Sequence, residues 1–180
     1  MAKTVKKEPK EKDPNQELKI LKTKKQYRML FGFVLVLTSI AFLVSFISFF
    51  LHGQADQSSV DALTDRSENA QNWLGKFGAY IADLFVYRGF GVAAFLLVKL
   101  LFLSGAFLIL DLPMRKLKNT WFWDLFALII VSILFGFFAN NLPELGGTVG
   151  YEMNLFLQDY IGKTGTLLVL LFGIVIYLIF

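Results

Sequence analysis

The sequence predicts an all-α integral membrane protein with four transmembrane helices, and three observations lead to this fold class. Hydrophobic residues make up 56% of the 180-residue chain, with 20 Phe and a mean hydropathy of +0.57, which a soluble globule of this size cannot bury. The apolar residues fall in four long runs, and a helix needs about 20 of them to cross the hydrocarbon core. Basic residues gather on one side of these runs.

The first element is a basic leader over residues 1–28. It carries ten Lys or Arg residues, four acids and two prolines, a composition typical of a disordered segment. We expect the leader to stay in the cytoplasm, where its charge fixes the topology and attracts anionic lipid. Nucleic-acid binding is the less favoured interpretation, because no aromatic residue that could stack on a base precedes Tyr27.

The four predicted spans differ in how they begin and end. The first, residues 29–51, is uncharged and too long for a cleaved signal peptide, so we interpret it as a retained anchor. The second covers residues 89–110, and the third, residues 121–139, opens with two Trp residues, whose indoles favour the headgroup boundary. The fourth, residues 166–180, is shorter than a full span, so we expect it to be truncated and the chain to continue inward.

Orientation follows from the positions of the basic residues. The leader and the loop 111–120 together hold 13 Lys or Arg residues, whereas the segments 52–88 and 140–165 hold four basic residues and eight acids. Short loops that keep basic residues stay in the cytoplasm. We therefore expect both termini to be cytoplasmic.

Each predicted outer loop ends in a glycine-punctuated amphipathic stretch, over residues 73–85 and 146–160. Their apolar residues recur at helical spacing, which predicts two short helices along the outer interface. Each stretch contains a G-x-x-G and leads through a glycine hinge into the next span, so the chain is an imperfect duplication of one helical-hairpin unit. Helix packing is the favoured role for these glycines, and a pore or substrate pathway is the alternative. The glycines concerned are Gly75 and Gly78 with the hinge Gly89 and Gly91, and Gly147 and Gly150 with the hinge Gly162 and Gly165.

Two ionisable residues fall within predicted spans, where such groups cost a few kcal/mol. Lys99 lies halfway through the second span and Asp124 near the inner end of the third. At ~1.5 Å per residue they are about 10 Å apart in depth, so we expect no direct contact. For Lys99, burial against backbone carbonyls and a shifted helix register remain equal alternatives, with ion or proton transport less favoured. Asp124 is interpreted as an interfacial acid at a helix N-terminus, and His52 as a solvated loop residue.

No catalytic, cofactor-binding or metal-ligating residue is predicted in residues 1–180. The chain has no Cys and one His, which leaves few metal ligands. Gly162-Lys163-Thr164 is similar to the end of the phosphate-binding motif G-x-x-x-x-G-K-[ST], but Leu157 stands where the first glycine is required. Gly89-Phe90-Gly91 fails as a dinucleotide loop, because Ala94 occupies the third glycine position.

The two glycine blocks carry a resemblance to a known family. The blocks Gly75-Lys-Phe-Gly-Ala-Tyr-Ile-Ala-Asp-Leu-Phe and Gly147-Thr-Val-Gly-Tyr, the latter continuing through Asp159-Tyr-Ile-Gly-Lys-Thr-Gly-Thr-Leu-Leu-Val, occupy matching topological positions. Together with the four spans and the basic leader, they resemble the amino-terminal four-span membrane domain of the FtsK/SpoIIIE DNA translocases from residue 29 onward. Lys99 departs from that pattern, since a span of this type is normally apolar or carries proline.

The resemblance implies a protein of the bacterial inner membrane at the division septum. Its membrane domain would anchor and assemble a hexameric cytoplasmic ATPase, joined through a linker beyond residue 180, that pumps double-stranded DNA. ATP and Mg²⁺ would bind in that motor, and the partners would be the bilayer, other division proteins and further copies of the chain. The alternatives are a small transporter with Lys99 as its coupling charge, and a scaffold for another envelope or secretion machine.

Overall fold

The computed structural model describes residues 14–61 and 70–179, and the regular structure in these ranges is helical. Four helical stretches are long and apolar enough to cross a membrane, which confirms the predicted fold class. The candidate spans are Leu18–His52, Gly75–Ile109, Met114–Phe138 and Pro143–Ile179. The α-helices are α1 (Pro14–Asp61), α2 (Gly75–Ala82), α3 (Phe95–Ile109), α4 (Met114–Phe135) and α5 (Pro143–Ile179).

Helix α1 is 48 residues long and begins well before the first predicted span. Pro14 is its first residue, a position where the missing N–H of proline costs nothing, and the Gln, Glu, Leu and Lys residues that follow favour helix. The prediction of a disordered leader is therefore wrong for residues 14–28, and residues 1–13 lie outside the described ranges. The helix exposes its first basic residues on every side.

The chain between α2 and α3 breaks at the predicted glycine hinge. A π-helical segment, Asp83–Phe90, leads into a 3₁₀ segment, Gly91–Ala94. Gly89 has non-helical dihedral angles and Gly91 has a φ of +61°. The stretch predicted as an amphipathic helix over residues 73–85 is thus helical from Gly75 and turns at the hinge into the second span.

Helix α5 repeats this arrangement in the second half of the chain. It breaks at Gly147 and at Gly162, whose φ angles are +65° and +70°, and Gly165 continues the helix without a break. In both halves the first glycine of the G-x-x-G block and one hinge glycine have positive φ, since Gly75 and Gly91 do the same. This backbone pattern agrees with the predicted duplication.

Two helix pairs, α1 with α3 and α4 with α5, make the most extensive contacts in the bundle. Helices α1 and α3 approach each other closely at Gly32 and Gly105. A methyl group added to Gly32 would lie 2.8 Å from the carbonyl oxygen of Gly105, and one added to Gly105 would lie 2.6 Å from that of Gly32. Small residues at such a contact allow the two backbones to pack closely within a membrane.

An aromatic cluster joins α1 to the segment around the first hinge. Phe46 is fully buried, and its ring lies 5.7 Å from that of Phe95 in an edge-to-face arrangement. Phe42 packs against Phe85 with the ring centroids 5.4 Å apart. These contacts fix the hinge segment against the first span.

At the end of the bundle away from the first hinge, an ion pair joins α1 to the loop between α3 and α4. Arg28 of α1 contacts the loop between α3 and α4, with Nη1 2.5 Å from Asp111 Oδ1 and Nη2 donating to the Leu112 carbonyl oxygen at 3.2 Å. Asp111 has a φ of +56°, a backbone conformation that Asp tolerates better than most residues. We call this end of the bundle, residues 111–113 with Arg28, the loop end.

Candidate functional site

Three helices meet at one polar cluster, which we call the Lys–Asp–Tyr cluster and which lies near the C-terminal end of the fourth candidate span. Lys99 of α3, Asp124 of α4 and Tyr177 of α5 form it. The Lys99 Nζ atom lies 2.9 Å from Asp124 Oδ1, and the Tyr177 hydroxyl donates to the same oxygen at 3.1 Å. One carboxylate oxygen thus joins three helices.

The prediction that Lys99 and Asp124 do not meet is wrong, because the third helix begins earlier than the apolar run. Helix α4 begins at Met114, seven residues before the predicted start of that span, and seven residues correspond to about 10 Å along a helix. Lys99 lies ten residues before the end of α3 at Ile109, and Asp124 lies ten residues after Met114. The two residues are therefore at the same depth in an antiparallel helix pair.

Asp124 is also not the interfacial acid that the sequence suggested. Its exposed fraction is 2%, whereas the Lys99 side chain is 46% exposed on the bundle surface. Its second oxygen, Oδ2, is buried and makes no hydrogen bond within the described part of the chain. Removing Lys99 alone would leave the buried Asp124 carboxylate without its cation, so the cluster constrains how α3, α4 and α5 are arranged.

A second polar contact joins α3 to α4 one turn closer to the loop end. The Trp121 indole Nε1 donates to Ser104 Oγ at 3.0 Å, and Ser104 Oγ in turn donates to the Leu100 carbonyl oxygen at 2.6 Å. The indole N–H therefore has a partner inside the protein. This contact and the Lys–Asp–Tyr cluster hold α3 and α4 in one register.

The two halves of the chain cross backbone to backbone at a second site, the glycine crossing, formed by Gly91 and Gly147. A methyl group added to Gly147 would lie 2.6 Å from the Val86 carbonyl oxygen, and one added to Gly91 would overlap the Leu145 carbonyl oxygen. Both glycines have positive φ, so any side chain there would be strained as well as crowded. Thr148 Oγ1 donates across the crossing to a backbone carbonyl oxygen at 3.2 Å.

The predicted packing role holds for three of the four G-x-x-G glycines. Gly150 packs against Ser132 of α4, and Gly78 against Asn72. Gly75 differs, because an added methyl group would meet nothing within 4 Å. Its φ of +62°, rather than packing, favours glycine at that position.

Serine side chains within the spans donate hydrogen bonds to the backbone of each glycine-containing stretch, and these contacts were not predicted from the sequence. Ser45 Oγ of α1 donates to the Gly78 carbonyl oxygen at 2.6 Å, and Asn72 Nδ2 donates to the Ser45 carbonyl oxygen at 3.0 Å. In the second half, Ser132 Oγ of α4 donates to the Gly146 carbonyl oxygen at 2.8 Å. In the second half the one serine of α4, Ser132, could have indicated its contact, but α1 has three buried serines, Ser39, Ser45 and Ser48, and the sequence does not single out Ser45.

The remaining residues that the sequence singled out lie apart from both sites. His52 belongs to α1 rather than to a solvated loop, with its ring 6.4 Å from that of Trp73 and a buried Nδ1 atom. Gly162, Lys163 and Thr164 lie in α5 at its second break, not in a phosphate-binding loop after a strand.

These sites define a four-span helical membrane domain in which polar and glycine contacts join the helices. The chain matches the family described as the 4TM region of DNA translocase FtsK/SpoIIIE over residues 24–180, and it belongs to this family. The matched part is the non-catalytic membrane region of the translocase, so the resemblance given by the glycine blocks is confirmed. No curated protein and no solved structure matches the chain.

Proposed function

We propose that this domain anchors and assembles a DNA translocase at the division septum and thereby couples chromosome segregation to cell division. The single observation that carries the proposal is the family match over residues 24–180, which covers the first candidate span from residue 24 and the other three completely. ATP-driven pumping of double-stranded DNA then belongs to a motor outside residues 1–180, where ATP and Mg²⁺ bind. The bacterial inner membrane is the compartment in which such an anchor works.

The contacts between the helices support an anchoring role. The Lys–Asp–Tyr cluster joins three helices, and the glycine crossing holds the two halves in direct backbone contact. An anchor that transmits the reaction force of a DNA motor must keep its helices in a fixed arrangement. The proposed partners are other septal membrane proteins and further copies of the chain, which the motor gathers into a hexamer.

A localisation experiment tests the septal part of this proposal. The full chain is fused to a fluorescent protein and imaged in dividing cells, with an unrelated four-span membrane protein fused in the same way as the control. We expect a band at midcell for the chain and an even membrane signal for the control. An even signal for both proteins would overturn the septal assignment while leaving the family membership unaffected.

A further inference from the structure

An exposed basic groove lies at the start of helix α4, next to the loop end of the bundle. The groove has a volume of about 600 Å³, and its described lining consists of Pro113, Arg115, Lys116 and Asn119, all exposed. Within the described residues neither Arg115 nor Lys116 forms an ion pair with a carboxylate. The groove therefore presents two cations and one amide to whatever occupies it.

The same face of α4 continues into an exposed apolar stripe. Phe122, Leu125 and Ile129 follow Arg115 at spacings of seven, three and four residues, which places them on one side of the helix. Their exposed fractions are 64%, 39% and 50%. The distance from Phe122 to Ile129 along the helix is about 10 Å at ~1.5 Å per residue, which lies within one leaflet of a ~30 Å hydrocarbon core.

We propose that this face of α4 binds one anionic phospholipid of the bilayer. Arg115 and Lys116 hold the headgroup phosphate, since a guanidinium can donate two parallel hydrogen bonds to phosphate oxygens and an ammonium adds a point charge. Asn119 donates to the remaining headgroup or ester oxygens, and an acyl chain lies along the apolar stripe. An acidic protein segment fits the basic groove but not the stripe that leads from it into the hydrocarbon, so a lipid is the occupant that matches both.

Native mass spectrometry of the full chain tests the site. The protein is reconstituted with equal amounts of phosphatidylglycerol and phosphatidylcholine, extracted in mild detergent and analysed for retained lipid. We expect wild type to retain phosphatidylglycerol in preference to phosphatidylcholine. In R115Q/K116Q the ratio of the two retained lipids should fall at least tenfold. The matched control is K19Q/K22Q, which removes two exposed charges of α1 that are not among the described lining residues of the groove, and we expect it to keep the preference.

Several results would overturn the proposal. Equal loss in K19Q/K22Q and R115Q/K116Q would mean that general charge attraction, not this groove, selects the lipid, and absence of preference in wild type would exclude the site. Displacement of the retained lipid by inorganic phosphate would assign the groove to a soluble anion instead. F122A tests the stripe separately, and we expect it to keep the headgroup preference but to retain severalfold less lipid. If R115Q/K116Q fails to reach the membrane, R115Q alone replaces it, with an intermediate loss expected.

Discussion

At the scale of single residues, Asp124 is where α3, α4 and α5 meet, because its Oδ1 atom accepts hydrogen bonds from two other helices. Lys99 supplies a compensating charge and Tyr177 a neutral donor. In a hydrocarbon environment an uncompensated charge is expensive, so the two donors differ in what their removal costs. We therefore expect loss of the Lys99 ammonium to destabilise the protein more than loss of the Tyr177 hydroxyl.

Replacing Lys99 by Leu leaves the buried Asp124 without its cation, and we expect the free energy of unfolding to fall by ~3 kcal/mol. Replacing both residues, as K99L/D124L, removes the uncompensated charge and should recover at least half of that loss. The measurement is unfolding of the purified protein in detergent, evaluated as a double-mutant cycle. If K99L is as stable as wild type, the ion pair does not hold the helices. A transporter, in contrast, would lose flux in K99L at unchanged stability.

Replacing Tyr177 by Phe removes one neutral hydrogen bond and keeps the ring. We expect a loss of about 0.5–1.5 kcal/mol in the same unfolding measurement, smaller than that of K99L. The matched control is Tyr160→Phe, since Tyr160 is 75% exposed and stays in ring contact with Phe156. Equal losses of unfolding free energy in Y177F and Y160F would show that the Tyr177 hydroxyl does not stabilise the cluster.

At the scale of helices, the two glycine breaks of α5 have the same backbone conformation but different surroundings. Gly147 meets the backbone of the first half, whereas an added methyl group at Gly162 meets nothing within 4 Å. With ψ angles of 175° and 167°, both glycines lie in a region that is almost exclusive to glycine, where a side chain costs about 1–3 kcal/mol by itself. Any further loss of stability on substituting Gly147 measures what the close backbone contact at the glycine crossing contributes.

We therefore expect G147A to destabilise the protein clearly more than G162A, which serves as the control for backbone strain. G162A should lose about 1–3 kcal/mol, and G147A this amount plus the cost of moving one half of the chain away from the other. Thermal unfolding in detergent, followed by the fraction of protein that stays unaggregated, compares the two. Equal losses would show that the two halves do not depend on close contact at Gly147.

The breaks at Gly91 and Gly162 followed from the sequence, but the break at Gly147 and the ends of the helices did not. Gly91 and Gly162 stand between apolar runs, where a positive φ favours glycine, and the hinge prediction used this. Hydropathy marks only the part of a helix that matches the hydrocarbon, so the polar first turns of α4 and the first 15 residues of α1 were missed. The pairing of Lys99 with Asp124 was missed for the same reason, although counting outward from the loop between α3 and α4 places them at equal depth.

The serine contacts could not be predicted because they depend on how each helix is rotated about its own axis. Ser45 and Ser132 lie in spans that are apolar on nearly all sides, so the sequence carries little periodic signal to fix that rotation. Tertiary packing decides which serine faces a glycine block. For such spans the family match gives the number of spans but not these individual contacts.

At the scale of the whole molecule, the bundle has two chemically different ends. The loop end carries Arg28 and adjoins Arg115 and Lys116 in the first turn of α4, whereas the opposite end holds the glycine crossing. Basic residues retained on one side of a bilayer indicate the cytoplasmic face. A cytoplasmic motor requires the loop end to face inward, so orientation is the property on which the proposed function depends.

The absence of cysteine in all 180 residues makes this orientation directly measurable. Lys118→Cys places one exposed thiol near the loop end, and Asn140→Cys places one at the opposite end. A membrane-impermeant maleimide added to intact spheroplasts should label N140C, and should label K118C only after lysis, because short loops rich in basic residues stay inside. Leu168→Cys, at a 63% exposed apolar position within the fourth candidate span, is the control that should stay unlabelled in both conditions. Labelling of K118C but not N140C in intact spheroplasts would place the loop end outside and would exclude an anchor for a cytoplasmic motor.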